Sequence, residues 1–223
     1  MVKTTAIIVA AGSSSRMGFD KIFAEICGVP ALLYSLNAFQ AAKSIDEIIV
    51  VTGAENASRI RAYDIPKLIG IVNGGSERLQ SVRNGIDAIS REDGIVAIHD
   101  GARPLITERL IDKVVSVAKV FKAAVPLIPA FSTVKRVDGE YIEDTPDRGS
   151  LYLAQTPQVF DLRLYREAIR NAGEGNFTDD SSLVEQMGVK VKTVDGDFSN
   201  IKVTTPEDLL TAEALLSVQK GQG

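Results

Sequence analysis

An apolar run, Ala6-Ile7-Ile8-Val9, stops at the small-residue stretch Ala10-Ala11-Gly12-Ser13-Ser14-Ser15-Arg16-Met17-Gly18, and Lys21 follows shortly after. A strand running into such a loop is suited to holding phosphates. Glycine and serine let backbone N–H groups turn inward toward an anion, and Arg16 and Lys21 supply the full positive charges that spread phosphate oxygens require. The loop has neither the Gly-Lys-Ser/Thr ending of a P-loop nor G-x-G-x-x-G. The usual ATPase and dinucleotide readings therefore fail, and a different nucleotide chemistry is indicated.

In an open α/β sheet ligands sit beyond the carboxyl ends of the strands, so residues just after each strand are the next candidates. Gly74-Gly75-Ser76-Glu77-Arg78 with Ser81 follows one expected strand, His99-Asp100-Gly101-Ala102-Arg103-Pro104 ends another, and Lys202 lies in Ile201-Lys202-Val203-Thr204. A helix starting near Ser76 would add oriented N–H groups. Each of these also has a plainer reading. Ser76 is sufficiently explained as an N-cap, Arg78 as a solvated helix residue, Asp100 as a turn cap and Lys202 as an outward lysine. His99 reads as a structural histidine and Cys27 as a packed small residue.

The elements that would position these groups alternate. Strands are expected at 4–9, 47–51, 70–72 and 95–98; one helix begins near Pro30 with Leu32, Leu33, Leu36 and Phe39 on one side, and others lie at about 55–62, 76–89 and 107–121. Continuous apolar strands between helices imply a mostly parallel sheet covered on both faces. The alternation breaks after Ala124. Residues 126–160 hold Pro126, Pro129, Pro146 and Pro157 among short extended pieces, and Asp138-Gly139 marks a tight hairpin turn between 133–137 and 140–142. This insert is too small to bury a core of its own, so it packs on the main body or on a second copy. Helices follow at 161–172 and 179–187, then strands at 189–194 and 200–203, and Thr205-Pro206 opens a last helix.

The bulk properties narrow the function. The chain has 223 residues, 45% hydrophobic and 24% charged, the profile of an ordinary soluble domain. A net charge of −4 gives no basic field for nucleic acid. One cysteine rules out an internal disulfide, and one histidine leaves no His/Cys metal cluster. A reducing cytoplasm is the expected location. The Ile7-Ile8-Val9 core is too short for a signal peptide, and no segment approaches a membrane span.

Taken together, Ala10-Ala11-Gly12 with Arg16-Met17 and Lys21, His99 to Pro104, Thr156-Pro157-Gln158 and Ile201 to Thr204 resemble the 2-C-methyl-D-erythritol 4-phosphate cytidylyltransferases. The resemblance spans essentially the whole chain, with the motifs in order. It departs at Phe19-Asp20-Lys21-Ile22-Phe23, where family members more often place glutamine or another polar residue after the lysine. It implies one Rossmann-like nucleotidyltransferase domain over 1–223, with helices on both faces of a mostly parallel sheet. A projecting β-arm at about 129–156 would interlock two subunits. The implied reaction moves CMP from CTP to a sugar-alcohol phosphate in isoprenoid precursor synthesis.

In that reaction a phosphate oxygen of the acceptor attacks the α-phosphorus and pyrophosphate leaves in line. A phosphate monoester has a second pKa of about 6, so the nucleophile needs no general base. Catalysis then rests on positioning and charge neutralisation. Arg16 and Lys21 are expected at the α-phosphate and the departing pyrophosphate. Arg148 and Lys202 would clamp the acceptor's phosphate and complete the catalytic set. Ala10, Ala11, Gly12, Gly75, Arg78, Ser81, Asp100 and Gly101 would surround the nucleotide, and Asp100, Arg103, Thr133 and Thr156 would meet the acceptor. Mg2+ would bridge the triphosphate, with Asp100 as the carboxylate nearest it, through water. Thr133 and Arg148 lie on the arm, so by resemblance they reach into a partner's site.

Competing readings remain. Ribitol-5-phosphate cytidylyltransferases share most of these motifs. A generic sugar-1-phosphate nucleotidyltransferase shares the first loop but accounts less well for the arm and Lys202. A catalytically silent nucleotide-binding dimer would keep the fold, yet gives no reason to gather cations around one cleft.

Overall fold

The computed structural model describes residues 2–12, 22–173 and 177–221. Its centre is β1 (Thr4–Val9), flanked by β4 (Glu47–Thr52) and β6 (Ile95–Asp100), both parallel to it. Between β1 and β4 lie a small ladder of β2 (Glu25–Ile26) with β3 (Val29–Pro30), and α1 (Ala31–Ala41). After β4 come α2 (Ala57–Arg61), β5 (Leu68–Asn73) and α3 (Arg78–Asp87), with β5 parallel to β4 at the sheet's edge.

Successive side chains of a strand point to opposite faces, so a strand that is apolar throughout must be covered twice. On one face Ala6, Ile8, Ile48, Val50 and Ala97 pack with Leu32, Leu36 and Phe39 of α1 and with Ile111, Val114, Val115 and Ala118 of α4 (Glu108–Phe121). On the other, Ile7, Ile49, Val51, Val96 and Ile98 pack with Val82 and Ile86 of α3, and with Tyr165, Ala168, Leu183 and Val184. Tyr165 and Ala168 belong to α5 (Leu162–Asn171), and Leu183 and Val184 to α6 (Asp180–Gln186). The start of α4 is held by the Thr107 hydroxyl, which accepts from the Leu110 N–H at 3.3 Å.

After α4 the sheet continues as β7 (Ala123–Pro129) and, beyond the arm, β10 (Tyr152–Ala154) and β11 (Gln158–Asp161). Both β10 and β11 run antiparallel to β7, and β11 is also antiparallel to β6. β12 (Lys192–Asp195) pairs parallel to β7. The eight-stranded sheet is therefore mostly parallel, as the alternating pattern predicts.

The arm carries the hairpin β8 (Arg136–Asp138) and β9 (Tyr141–Asp144), turned at Gly139 with φ of 57°. That left-handed backbone suits glycine, and the Asp-Gly signal placed the turn correctly. Every residue of both strands is exposed, including Val137, Tyr141 and Ile142.

Some expectations need correction. Residues 200–203 form no strand. Asn200 and Ile201 donate locally to the Asp197 and Ser199 carbonyls, Val203 donates to the Ala102 carbonyl at 2.8 Å, and the segment leads into α7 (Pro206–Gly221). The strand expected at 189–194 starts later, at Lys192. Cys27 is exposed, not packed, on the β2–β3 turn, where its N–H donates to Glu213. At the start of α7, Asp208 reaches back to accept from the Thr205 N–H at 2.8 Å, one half of a capping box.

Candidate active site

The carboxyl ends of β1, β5 and β6 open onto a cleft of about 510 Å³. Ala10, Ala11 and Gly12 line one wall, Gly75 to Arg78 with Ser81 another, and Asp100, Ala102 and Lys202 a third. The walls are held close by the backbone. The Ala10 N–H donates to Val51 at 2.7 Å, and the Gly74 N–H donates to Thr52 at 2.9 Å. A methyl group on Gly74 would overlap the Ala11 side chain, so the two walls approach to a distance that only glycine allows.

Asp100, the last residue of β6, is the electrostatic centre. Its carboxylate accepts from Lys202 Nζ at 2.8 Å and from Arg78 Nε at 3.3 Å. Burial alone would raise its pKa, but the Arg78 and Lys202 charges hold the carboxyl well below the usual carboxylate range. Arg78 also donates through Nη2 to Asp180 at 2.6 Å. Burial alone would make Arg78 easier to deprotonate. The Asp180 and Asp100 charges reverse that and fix it as a cation. Neither residue is the solvated group or turn cap of the plainer readings.

Ser76 does not cap α3, which begins at Arg78 with Glu77 at the N-cap position and no side-chain cap. The loop is tied instead by Ser81, whose hydroxyl accepts from the Gly75 N–H at 3.0 Å and donates to the Glu77 carbonyl at 3.1 Å.

Directly behind Asp100 lies a buried polar layer. The Asp100 N–H donates to the Thr156 hydroxyl at 3.1 Å, and that hydroxyl meets His99 Nδ1 at 2.9 Å. The Arg103 carbonyl on the other side of the ring can only accept, so Nδ1 is the unprotonated nitrogen and the hydroxyl donates its proton to it. His99 Nε2 then carries the hydrogen toward the Arg103 carbonyl at 3.4 Å. His99 is fully buried, and burial lowers its pKa to about 3. It is a neutral structural histidine, as its sequence context indicated. Arg103 donates to the carbonyls of Asn200 at 2.8 Å and Ala154 at 3.4 Å. It thus ties the Lys202 segment to the root of the arm.

The structure therefore gathers Ala10, Ala11, Gly12, Gly75, Arg78, Ser81, Asp100 and Lys202 around one cleft. Gly101, Arg103 and Thr156 do not line it. The Gly101 N–H is held by Val9 at 2.9 Å, and the other two brace the cleft from behind. Thr133 and Arg148 stand exposed on the arm, where Arg148 donates to the Phe131 carbonyl at 2.8 Å. Arg16 and Lys21 lie outside the described residues. Asp180 was not singled out from the sequence. Its signal is slight, a pair of acids opening the expected helix at 179–187.

Among the described residues no group of three or more His, Cys, Asp or Glu could form a metal cage. Among the described residues two acids, Glu77 and Asp100, line the cleft, and Asp100 is the one held between its cations. That donor set fits a hard cation carried in on a polyphosphate, which keeps most of its water and takes one or two carboxylates.

The sequence pattern of the 2-C-methyl-D-erythritol 4-phosphate cytidylyltransferases matches residues 4–218. A protein of that name from Caldanaerobacter subterraneus subsp. tengcongensis is 47% identical, over 96% of this chain and 99% of its own. The crystal structure of 4-diphosphocytidyl-2C-methyl-D-erythritol synthase from Anaerococcus prevotii superposes with a TM-score of 0.87 at 35% identity, covering 97% of this chain and 96% of that one. That of 2-C-methyl-D-erythritol 4-phosphate cytidylyltransferase from Thermus thermophilus gives 0.77 at 31% identity, covering 97% and 100%.

Proposed function

This chain belongs to the 2-C-methyl-D-erythritol 4-phosphate cytidylyltransferase family, and we propose a division of labour within its cleft on that premise. The enzyme transfers CMP from CTP to 2-C-methyl-D-erythritol 4-phosphate, giving 4-diphosphocytidyl-2-C-methyl-D-erythritol and pyrophosphate. The product feeds isoprenoid precursor synthesis in the cytoplasm. The observation that carries the reading is Asp100 bound by Arg78 and Lys202 at a cleft walled by Ala10 to Gly12 and by Gly75. Cations, close backbone and the Asp100 carboxylate meet where an α/β sheet binds its ligand.

The small wall residues and Ser81 hold cytosine and ribose, and Arg78 faces the nucleotide. Arg16 and Lys21 neutralise charge at the α-phosphate and on the leaving pyrophosphate. Lys202 and Arg148 take the acceptor's phosphate, with Thr133 at its hydroxyls. Arg103 and Thr156 contribute by bracing, Arg103 through Asn200 and Thr156 through the Asp100 N–H. Mg2+, held near Asp100 through water, would supply further neutralisation of the triphosphate. The acceptor arrives as a dianion, so what the chain must supply is alignment and positive charge.

The arm is the dimerisation element in this reading. Phe131, Val137, Tyr141, Ile142, Tyr152 and Leu153 are all exposed on a single chain. An apolar ribbon of that kind is stable when a second copy covers it. Thr133 and Arg148 then enter the partner's cleft. No helix among the described residues is long and apolar enough to cross a membrane.

The test follows pyrophosphate release from CTP and Mg2+ with either 2-C-methyl-D-erythritol 4-phosphate or ribitol 5-phosphate. Release dominated by the methylerythritol phosphate, abolished by EDTA and restored by Mg2+, is expected. Release dominated by ribitol phosphate overturns the acceptor, and full activity in EDTA overturns the magnesium.

A further inference from the structure

Beneath the cleft, on the α5–α6 face of the sheet, sits a buried acid that joins a cleft arginine to a core tyrosine. Asp180 is 1% exposed, and its two oxygens are divided between two donors. Oδ2 accepts from Arg78 Nη2 at 2.6 Å, and Oδ1 accepts from the Tyr165 hydroxyl at 2.7 Å. Tyr165 is itself fully buried and stacked on Phe160 of β11, with ring centroids 4.8 Å apart. The first turn of α6 is pinned to the same strand. Gln158 donates to Asp179 at 2.9 Å and accepts from the Ser181 N–H at 2.8 Å. The position of Asp180 is therefore set by core packing rather than by a flexible loop.

We propose that Asp180, braced by Tyr165, is a positioning residue that sets the plane of the Arg78 guanidinium over the nucleotide. The inference rests on the reading of the cleft given above. A guanidinium is planar, so fixing Nε on Asp100 and Nη2 on Asp180 fixes the whole fork. Nη1 then keeps its N–H groups free of any protein partner among the described residues. An arginine tethered on Asp100 alone could swing about that contact. Asp180 also balances charge, because Arg78 and Lys202 meet Asp100 and Asp180 in equal number. The two cations can thereby share one cleft before a polyanion arrives. Asp180 itself lines no part of the cleft, so it acts through Arg78.

The experiment compares Asp180→Asn, Tyr165→Phe and Arg78→Ala with the Arg78→Ala/Asp180→Asn double variant. It uses steady-state pyrophosphate release at fixed saturating acceptor, with thermal unfolding to confirm that each variant is folded at the assay temperature. Asp180→Asn should lower kcat/KM for CTP by about tenfold to a hundredfold, the penalty of a misplaced binding group. Tyr165→Phe removes one hydroxyl and keeps the ring on Phe160, so a smaller fall, about threefold or more, is expected. In the Arg78→Ala background Asp180→Asn should cost less than about twofold, because the residue it orients has gone.

A merely structural acid would cost the same factor in both backgrounds, and that result overturns the proposal. Unchanged kcat/KM for CTP in Tyr165→Phe together with Asp180→Asn overturns it as well, and Tyr165→Phe alone decides if Asp180→Asn does not fold. An inactive wild-type enzyme would overturn the proposed function instead, which separates the two failures.

Discussion

Acid should destabilise this protein through one identifiable group. The chain has a single histidine, and His99 is buried neutral with its pKa lowered to about 3. In the unfolded chain that imidazole titrates at about 6.5. Below that value the unfolded state takes up a proton that the folded state refuses, so stability falls as pH falls. Stability is full above the unfolded value and declines through the window from about 6.5 down to about 3. Between pH 7 and pH 5 the linkage integral gives a loss of about 2 kcal/mol, and any folded value below about 4 gives nearly the same figure. For a chain of this size that is a drop of roughly 4–8 °C in Tm. The lowered carboxyls of Asp100, Glu47, Asp112 and Asp208 act in the same direction, but in a lower window near and below the usual carboxylate values. The assay is urea unfolding followed by circular dichroism from pH 7.5 to 5, on the wild type and on His99→Asn. The variant keeps an acceptor for Thr156 and should be less stable at pH 7 but nearly flat across the window. A wild type whose stability does not change, or a variant that loses as much as the wild type, would refute the reasoning.

Other outcomes follow from the cleft and the arm. Lys202→Met removes the ammonium from Asp100 Oδ2 and from the expected site of the acceptor's phosphate. The kcat/KM for 2-C-methyl-D-erythritol 4-phosphate should fall on the order of a hundredfold with little change in Tm, and an unaltered acceptor dependence would remove Lys202 from that site. Lys21→Ala and Arg148→Ala should each lower turnover by about a hundredfold or more. Mixing the two inactive proteins should restore part of it through hybrid dimers with one intact composite site. No recovery under demonstrated subunit exchange would show that each site is built within one chain.

The elements that the sequence announced are those whose pattern is local. β1, β4 and β6 are unbroken apolar runs because both faces of the sheet are covered, and α4 shows its buried stripe at helical spacing. β11 was less legible, since Pro157 immediately before it reads as loop while its pairing comes from distant β6 and β7. Ile201-Lys202-Val203 has the composition of a strand but no neighbouring strand to complete it: the Ile201 N–H turns to the nearby Ser199 carbonyl and the Val203 N–H to Ala102. In the site, each wall followed from the rule that ligands bind beyond strand ends. The contacts that decide each side chain's role did not, because they join residues far apart in the chain. Arg78 to Asp180 and Lys202 to Asp100 are separated by 102 positions each. Arg103 and Thr156 carry the right chemistry for substrate contact, yet they turn to Asn200 and to the Asp100 N–H.

The carboxylates at the cleft explain how an enzyme for phosphates tolerates its own cations. Arg78 and Lys202 would repel each other if placed together to await a triphosphate. Two acids hold them, and the acids differ in depth. Asp180, in the first turn of α6, is sealed away from the cleft, whereas Asp100 lines it. Together the two contacts fix the direction of the Arg78 fork. Asp100 stays ionised because Arg78 and Lys202 hold its carboxyl well below the usual carboxylate range. Cations held in place and neutralised by fixed acids are the arrangement that a reaction between two anions demands.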